Sequence, residues 1–509
     1  MSQSLNIPLA QVKAPGQSIH YDIAVIGGGV NGTAIARDMA GRGYAVLLLE
    51  GGDLASGTSS ASTKLIHGGL RYLEYGELHL VKKALMEREV LLRTAPHIVS
   101  PLRFVLPRAG SSRPKWMLKI GLILYDHLAR RDVLPDSESV DLTRHDYGIP
   151  FAGRIADGFA YSDCWVDDAR LVVLQAVDAA RQGADILTRT HVHDVSPDGN
   201  GGWDIETNSA QRFHARFLIN ATGPYVRTFL DRNRLVGPHT PGLRLVRGSH
   251  IVVPRIYDGG HAYMLQQPDG RIVFAIPYQE KFTLIGTTDQ DHGTNPDVKP
   301  VCTPDEAQYL CDAVNRFFIR AVGTQDIVWS YSGVRPLFDN GRGKAAAVTR
   351  DYHLHTQHHD HAPIMSIYGG KITTCRWLAA DAAQEIERIL GKKGAAWTHK
   401  APLPGGDIID RDFYEFMGDM MAYYHWFPAR TLERMARAYG THVMRILGDA
   451  AHVGQLGRDF GGGLYQAEVD YLCQQEWART ADDILWRRTK LGLHVKDDTV
   501  QALKKYLGE

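Results

Sequence analysis

The chain has 509 residues, 44% of them hydrophobic and 22% charged, so it is long enough for about three domains and too apolar to be disordered. Lys plus Arg and Asp plus Glu number 57 each, which leaves no bulk positive field for nucleic acid and makes any anion site a local one. The five cysteines are scattered and form no CxxC pair, which argues against a disulfide framework or a zinc knuckle and fits a reducing cytoplasm.

Residues 1–20 lack the basic start and apolar run of a signal peptide, and no apolar stretch approaches the ~20 residues of a spanning helix. The expectation is a protein neither secreted nor transmembrane. Tyr21 to Ile26 reads as a buried strand running into Gly27-Gly28-Gly29-Val30-Asn31-Gly32, and Thr33 to Gly41 carries small and apolar residues at helical spacing. Strand, glycine turn and helix in this order predict a dinucleotide site. Gly27 permits the turn, Gly29 lets backbone approach a pyrophosphate, and Gly32 lets the helix pack on the strand, whose neighbouring helix N-terminus supplies amide donors. A second strand, Tyr44 to Leu49, ends in Glu50, where the fold presents an acid to an adenosine ribose. The motif alone does not separate FAD from NAD.

Trp116 to Leu128 is mostly apolar, with Arg108, Arg113, Lys115 and Lys119 before or within it and Arg130 and Arg131 after it. It is too short to span a bilayer and suits either a helix lying in a headgroup layer or a buried core helix. Phe217 to Asn220 is strand-like and leads into Ala221-Thr222-Gly223-Pro224. His353, His355, His358, His359 and His361 separate two strand-like runs, lack cysteine and ligand spacing, and read as an exposed hairpin loop, not a metal site. Ser366 to Tyr368 then leads into Gly369-Gly370-Lys371. Each later glycine turn is ordinary punctuation in isolation. With the first, they suggest one nucleotide domain assembled from distant segments, with a helix near Gly370 aiming its N-terminus at an anion. After Pro402-Leu403-Pro404-Gly405-Gly406 the chain reads as helical to its end. There Val469, Leu472, Cys473 and Trp477 share one face, Thr480 and Asp483 form a capping box, and Arg487, Arg488 and Lys490 read as solvated surface.

The glycine turn, Thr58 to Glu74, Tyr161 to Arg170, Gly248-Ser249-His250, Ile285 to Asp289, Tyr331 to Pro336, Thr349 to Tyr352, Gly369 to Lys371 and Trp486 to Lys490 occur in one order along the chain. On these stretches the chain resembles the FAD-dependent, membrane-associated glycerol-3-phosphate dehydrogenases of aerobic bacteria and mitochondria, from Tyr21 to the C-terminus. The resemblance implies FAD as cofactor and oxidation of sn-glycerol 3-phosphate to dihydroxyacetone phosphate, with electrons passed to a membrane quinone. It also implies a peripheral protein on the cytoplasmic face of the inner membrane, with no metal and no nucleic-acid partner, and leaves a homodimer open. It tips the reading of 116–128 toward membrane contact.

A phosphorylated polyol needs fixed cations, and the planar fork of arginine suits phosphate. The matching motifs offer Arg71, Arg335, Arg350 and Lys371, with Tyr72 beside Arg71, as the substrate-binding set. Loss of a hydride from C2 requires a base at the C2 hydroxyl; His250 is the first candidate, with Arg335 stabilising the developing alkoxide. A buried core histidine is the competing reading of His250. The stretch Ser56 to Thr63 reads as a loop wrapping FAD. Its neighbourhood contributes Thr58, Ser59, Ser60, Ser62, Lys64, His67 and Gly69 to the cofactor set, joined by Gly27, Gly29, Asn31, Gly32, Glu50, Ala221, Gly223, Gly370 and Lys371.

The expected fold class is α/β and α+β in three parts. After an extension at 1–20 come a discontinuous Rossmann-type FAD-binding domain (21–95, 155–235 and 345–398) and an antiparallel-sheet substrate-binding domain (96–154 and 236–344). A helical C-terminal domain (399–509) completes the chain. The rivals are a glycerol-3-phosphate oxidase using oxygen, a sarcosine or amino-acid oxidase, and a non-catalytic nucleotide-binding module.

Overall fold

The computed structural model describes residues 19–109, 114–209, 211–339 and 351–509; Arg350 and residues 1–18 of the predicted extension lie outside them. In chain order the first half comprises β1 (Ile19–Ile26), α1 (Val30–Gly41), β2 (Val46–Leu49), β3 (Leu65–Ile66), α2 (Leu78–Thr94), β4 (Val99–Pro107), α3 (Lys115–His127), β5 (Glu138–Asp141), β6 (Asp157–Val166), α4 (Asp168–Arg181), β7 (Asp185–Leu187), β8 (Val192–Pro197), β9 (Trp203–Thr207), β10 (Arg212–Asn220) and α5 (Val226–Arg232). There follow β11 (Gly242–Pro254), β12 (Ala262–Gln266), β13 (Ile272–Tyr278), β14 (Phe282–Gly286), β15 (Gln290–Asp291), α6 (Pro304–Asn315), β16 (Trp329–Asp339), β17 (His353–His359), β18 (Ala362–Tyr368) and α7 (Cys375–Leu390). The C-terminal part holds α8 (Phe413–Tyr423), α9 (Ala429–Tyr439), α10 (Val443–Leu447), the hairpin β19 (Asp459–Gly461) and β20 (Leu464–Tyr465), α11 (Gln466–Gln475) and α12 (Asp497–Leu507).

The first sheet runs β17-β18-β10-β1-β2-β7, with β18, β10, β1, β2 and β7 parallel. Its inner strands are continuous apolar runs, Ile23 to Val25, Val46 to Leu49 and Phe217 to Ile219, because both faces are covered. α1, α4 and α7 pack on one face, and Trp203, Phe229 and Leu230 belong to the core on the other. The strand order reverses at β1, which leads to β2 on one side while β10 lies on the other, so a crevice opens at its carboxyl end.

The second sheet runs β15-β11-β14-β13-β12-β4-β6-β3, with β16 on β11 and β5 on β6. It is antiparallel except where β12 meets β4. β6 was expected within the nucleotide-binding segment 155–235, yet it pairs with β4 from Val99 opposite Val166 to Pro107 opposite Gly158. Alternating apolar residues reveal a strand but not which sheet completes its ladder.

Other expectations change in the folded chain. The histidine-rich stretch is not a loop: His353 to His359 form β17, paired along its length with β18, and the turn falls at Asp360 and His361. Among the described residues no cluster of His, Cys, Asp or Glu could hold a metal. Trp477 lies beyond the end of α11 at positive φ, off the face shared by Val469 and Leu472. The expected capping box exists: Asp483 N–H donates to Thr480 Oγ1 (3.2 Å) and Thr480 N–H to Asp483 Oδ2 (3.0 Å), at the start of a π-helical turn over Asp483–Arg488.

Arg488 and Lys490 are buried, not solvated. Arg488 forms a bidentate pair with Asp53 (2.8 and 2.9 Å), and Arg487 donates to the same carboxylate (2.6 Å). A second fully buried pair, Arg170 with Glu476, joins α4 to the C-terminal domain. Removing one partner of such a pair strands a charge in the interior and costs about 3–5 kcal/mol.

Three buried histidines predict acid lability. Burial pushes His97 and His250 down to about 3 and His442 down to about 2, with neighbouring arginines acting in the same direction. Between the ordinary value near ~6.5 and these folded values, the unfolded chain binds protons that the folded one does not. Stability is therefore expected to fall as pH drops below about 6.5, each imidazole approaching about 1.4 kcal/mol per pH unit. Urea unfolding at pH 7, 6 and 5 measures the slope, and a His442→Gln variant should show a shallower one.

Candidate active site

Three glycine turns lie side by side because β18, β10 and β1 are parallel neighbours: Gly369-Gly370 follows β18, Ala221 to Gly223 follows β10, and Gly27 follows β1. Gly27 has φ +114°, and a Cβ there would lie 2.5 Å from the Ala221 carbonyl oxygen. A Cβ at Gly32 would lie 2.0 Å from the Gly27 carbonyl oxygen, so the helix can sit this close to the turn only without one. No side chain caps α1 at Gly29, and its first turn holds no acid, which leaves the positive helix end for an anion. Ser59 Oγ accepts from Val30 N–H (2.9 Å), and Asn31 Nδ2 donates to the Gly369 carbonyl (3.2 Å). Asn31 Oδ1 is buried and has no protein partner among the described residues. Glu50 accepts from Gly28 N–H (2.6 Å) and Gly52 N–H (2.7 Å). Burial raises its pKa while those two donors act against the rise. The positive end of α1, with no acid in its first turn, suits the phosphates of a bound dinucleotide, and the fixed Glu50 carboxylate suits its ribose hydroxyls.

The Ser56 to Thr63 loop closes over this crevice and ties the two sheets together. Thr58 Oγ1 donates to Val334 O (2.7 Å) on β16, and Tyr331 OH donates to Ser62 O (2.8 Å). Ser60 Oγ turns back to Gly57 O (3.4 Å). Two residues expected at the cofactor act from beneath: Ser62 Oγ (2.7 Å) and Lys64 Nζ (2.7 Å) both donate to Asp168, and Lys64 also reaches Ser60 O (3.0 Å). Lys64 and Asp168 side chains are both 0% exposed, so this pair shapes the loop from its buried side. Burial would raise the Asp168 pKa, but Lys64 and Lys490 prevail and hold it below its ordinary value. His67 N–H donates weakly to Thr373 Oγ1 (3.4 Å), placing the end of the loop beside the turn that follows Lys371.

Against this loop the second sheet presents His250 on β11. Its Nε2 lies 3.0 Å from Thr63 Oγ1, and its ring stacks on Tyr331 at 4.8 Å and 14°. Nδ1 is buried without a protein partner among the described residues. The ring fits because Gly286 stands opposite on β14; a Cβ there would lie 2.1 Å from the imidazole. Burial, then the charges of Arg335 and Lys64, push His250 down to about 3, so in this state it is a neutral imidazole rather than one titrating near neutrality. In the tautomer that gives Nε2–H to Thr63, Nδ1 carries the free lone pair.

Arg335 stands on β16 opposite Val246 of β11. It forms a close ion pair with Asp289 and donates to Thr287 Oγ1 (3.1 Å). Gly248 makes room for it, since a Cβ there would lie 2.7 Å from Nη2. Lys371 places its ammonium 3.8 Å over the ring of Tyr72, which itself folds onto Gly69, at φ +77°. Arg71 rests on Tyr75, with Nη2 to OH at 3.4 Å. The fold thus builds one group from His250 and Arg335 and another from Tyr72 and Lys371. Thr63, Tyr331 and Asp289 were not singled out in the sequence. All three lie inside motifs already noted, but only the packing of the 58–69 loop against β11 brings Thr63 to His250.

A family model described as FAD dependent oxidoreductase matches residues 22–376, and one described as the C-terminal domain of alpha-glycerophosphate oxidase matches 396–508. The chain is 47% identical to the D-erythritol 1-phosphate dehydrogenase of Brucella abortus, over 94% of this chain and 95% of that one. It is also 47% identical to the glycerol-3-phosphate dehydrogenase of Pseudomonas aeruginosa, over 98% of this chain and 96% of that one. Against the aerobic glycerol-3-phosphate dehydrogenase of Escherichia coli it is 46% identical, over 96% of this chain and 97% of that one. Among solved structures, the glycerol-3-phosphate dehydrogenase of Bacillus halodurans complexed with FAD aligns with TM-score 0.76 and 25% identity, covering 96% of this chain and 91% of that one.

Proposed function

The chain belongs to the FAD-dependent glycerol-3-phosphate dehydrogenases, and from that premise we propose that it oxidises sn-glycerol 3-phosphate at C2 to dihydroxyacetone phosphate and delivers the electrons to a membrane quinone. The observation that supports the reading is the pairing of β11, carrying His250 with a ring nitrogen lacking a protein partner among the described residues, with β16, carrying the Arg335 cation that acts on it. Bound FAD supplies the hydride acceptor. Gly27, Gly29, Asn31, Gly32, Glu50 and the 369–371 turn would hold it. Lys371 and Arg71 supply charge for the phosphate, Nδ1 of His250 takes the C2 hydroxyl proton, and Arg335 stabilises the oxygen as that proton leaves.

A second reading is a longer phosphorylated polyol, favoured by the 47% identity to a D-erythritol 1-phosphate dehydrogenase. Both substrates combine a terminal phosphate with a secondary alcohol. Anaerobic flavin absorbance during addition of each substrate, followed by a soluble quinone analogue, separates the possibilities. Bleaching by glycerol 3-phosphate and recovery with the quinone supports the proposal. Bleaching by the tetritol phosphate alone transfers it to that substrate, and recovery only with oxygen replaces the quinone by an oxidase acceptor.

Membrane contact is supported by α3. Trp116 (64% exposed), Ile120 (57%), Ile123 and Leu124 follow helical spacing along one outward stripe, while Leu122 and Tyr125 point into the core. Exposed Lys115 and Lys119 and the near-fully exposed Arg130 flank the stripe, as an in-plane helix on anionic headgroups requires. Five free cysteine thiols suit the reducing face of that membrane. Replacing Ile120 and Ile123 together by Asp is expected to weaken co-sedimentation with anionic phospholipid vesicles by more than about tenfold. Flavin bleaching by the soluble substrate should be unchanged.

A further inference from the structure

We propose that Trp486 of the C-terminal domain is a positioning residue of the active site, bracing the imidazole of His250 through a stack of rings. Trp486 stacks on Trp329 (4.7 Å, 28°), Trp329 packs on Tyr331 (4.8 Å, 40°), and Tyr331 stacks on His250 (4.8 Å, 14°). The register makes the series possible: Tyr331 stands opposite His250 and Trp329 opposite Val252, and residues two apart share a face of the sheet. Tyr331 is pinned at its far end by the Ser62 carbonyl (2.8 Å), and His250 by Thr63 (3.0 Å). Among the described residues no hydrogen bond anchors the Trp329 ring in the same way, and its stack on Trp486 helps set where it sits.

Trp486 is held firmly. Its ring occupies a space that exists because residue 492 is glycine, where a Cβ would lie 2.5 Å from the indole. Lys490 Nζ donates to the Trp486 carbonyl (2.7 Å). The next two residues, Arg487 and Arg488, lock the same turn to Asp53, three residues after Glu50 in the loop that follows β2. The Trp486 to Lys490 motif therefore links the cofactor-binding sheet to the sheet that carries His250. A base displaced by about an ångström loses catalytic advantage of up to about a hundredfold.

This inference rests on the proposed role of His250, and the test keeps the two apart. The wild-type holoenzyme, Trp486→Ala, Trp486→Phe and Gly492→Ala are compared by stopped-flow flavin bleaching with glycerol 3-phosphate, normalised to bound flavin, with thermal midpoints recorded separately. Trp486→Ala is expected to lower the limiting bleaching rate at least about tenfold with the substrate dissociation constant within about twofold, and Trp486→Phe to restore most of it. Gly492→Ala, which displaces the indole without deleting it, should reproduce the slow phenotype and decides the matter alone if Trp486→Ala does not accumulate. Variants that lose thermal stability or flavin occupancy yet bleach at the wild-type rate per bound flavin would overturn the proposal. A wild-type flavin that no phosphorylated polyol bleaches would instead sink the functional reading beneath it.

Discussion

Replacing Arg335 by Ala is expected to lower kcat/KM for glycerol 3-phosphate by about a hundred- to a thousandfold while leaving FAD bound. The guanidinium is the charge closest to His250 in effect, because it is one of the two cations that depress the imidazole pKa. Positive charge so placed stabilises an oxygen that gains negative charge as its proton leaves, and does so without reorganisation because Asp289 and Thr287 already hold the fork. Lys at the same position keeps the charge but not the two-sided fork, so Arg335→Lys should recover only part of the loss. The cofactor should stay, since β1, β10 and β18 supply the dinucleotide turns and β16 holds the 56–63 loop through the Val334 carbonyl, not through the Arg335 side chain. Steady-state kinetics with the flavin content of each preparation measured checks both parts. Wild-type kcat/KM in Arg335→Ala would remove it from the mechanism.

His250→Ala is expected to cost about a hundred- to ten-thousandfold in the rate of flavin reduction at saturating substrate, the range of a positioned general base. The effect should appear in the rate rather than in substrate affinity, because the imidazole acts on the hydroxyl proton and not on the phosphate. Burial and the adjacent cations push its pKa down to about 3 in the empty site, so the ring is neutral with its lone pair available but is a weak base there. The dianionic phosphate arriving with substrate counters Arg335 and Lys64 and makes proton acceptance easier. Stopped-flow bleaching is the measurement. A loss confined to Kd would recast His250 as a packing residue, the reading its stacked and buried ring also permits.

The dinucleotide turn was legible because its demands are local. Gly27, Gly29 and Gly32 are set by a turn, a backbone approach and a helix contact within a few residues, and Glu50 by the end of the next strand. His250, Arg335 and Lys371 were singled out through resemblance to a family and not through periodicity. The partners of these residues were harder to see. Thr63 and Tyr331 flank His250 only because one loop folds onto β16 and β16 pairs with β11 in a particular register, and both contacts join residues remote in sequence. Arg487, Arg488 and Lys490 show the same limit: a run of cations defaults to surface, and only the docking of the C-terminal domain on Asp53 and near Asp168 buries them.

By itself the sequence determined a nucleotide-binding βα unit, its later strand-to-glycine turns, a short amphipathic segment at 116–128 and a helical C-terminal region, since each is written in residues close together along the chain. Tertiary structure decided the rest: that β6 joins the second sheet, that the histidine run is an edge strand, that Lys64 faces Asp168, and that Trp486 reaches the rings behind His250. The physical reason is that a strand's pattern specifies one face and a charge's sign specifies only what it needs. Which ladder completes the strand and which opposite charge meets the cation are settled when distant segments pack.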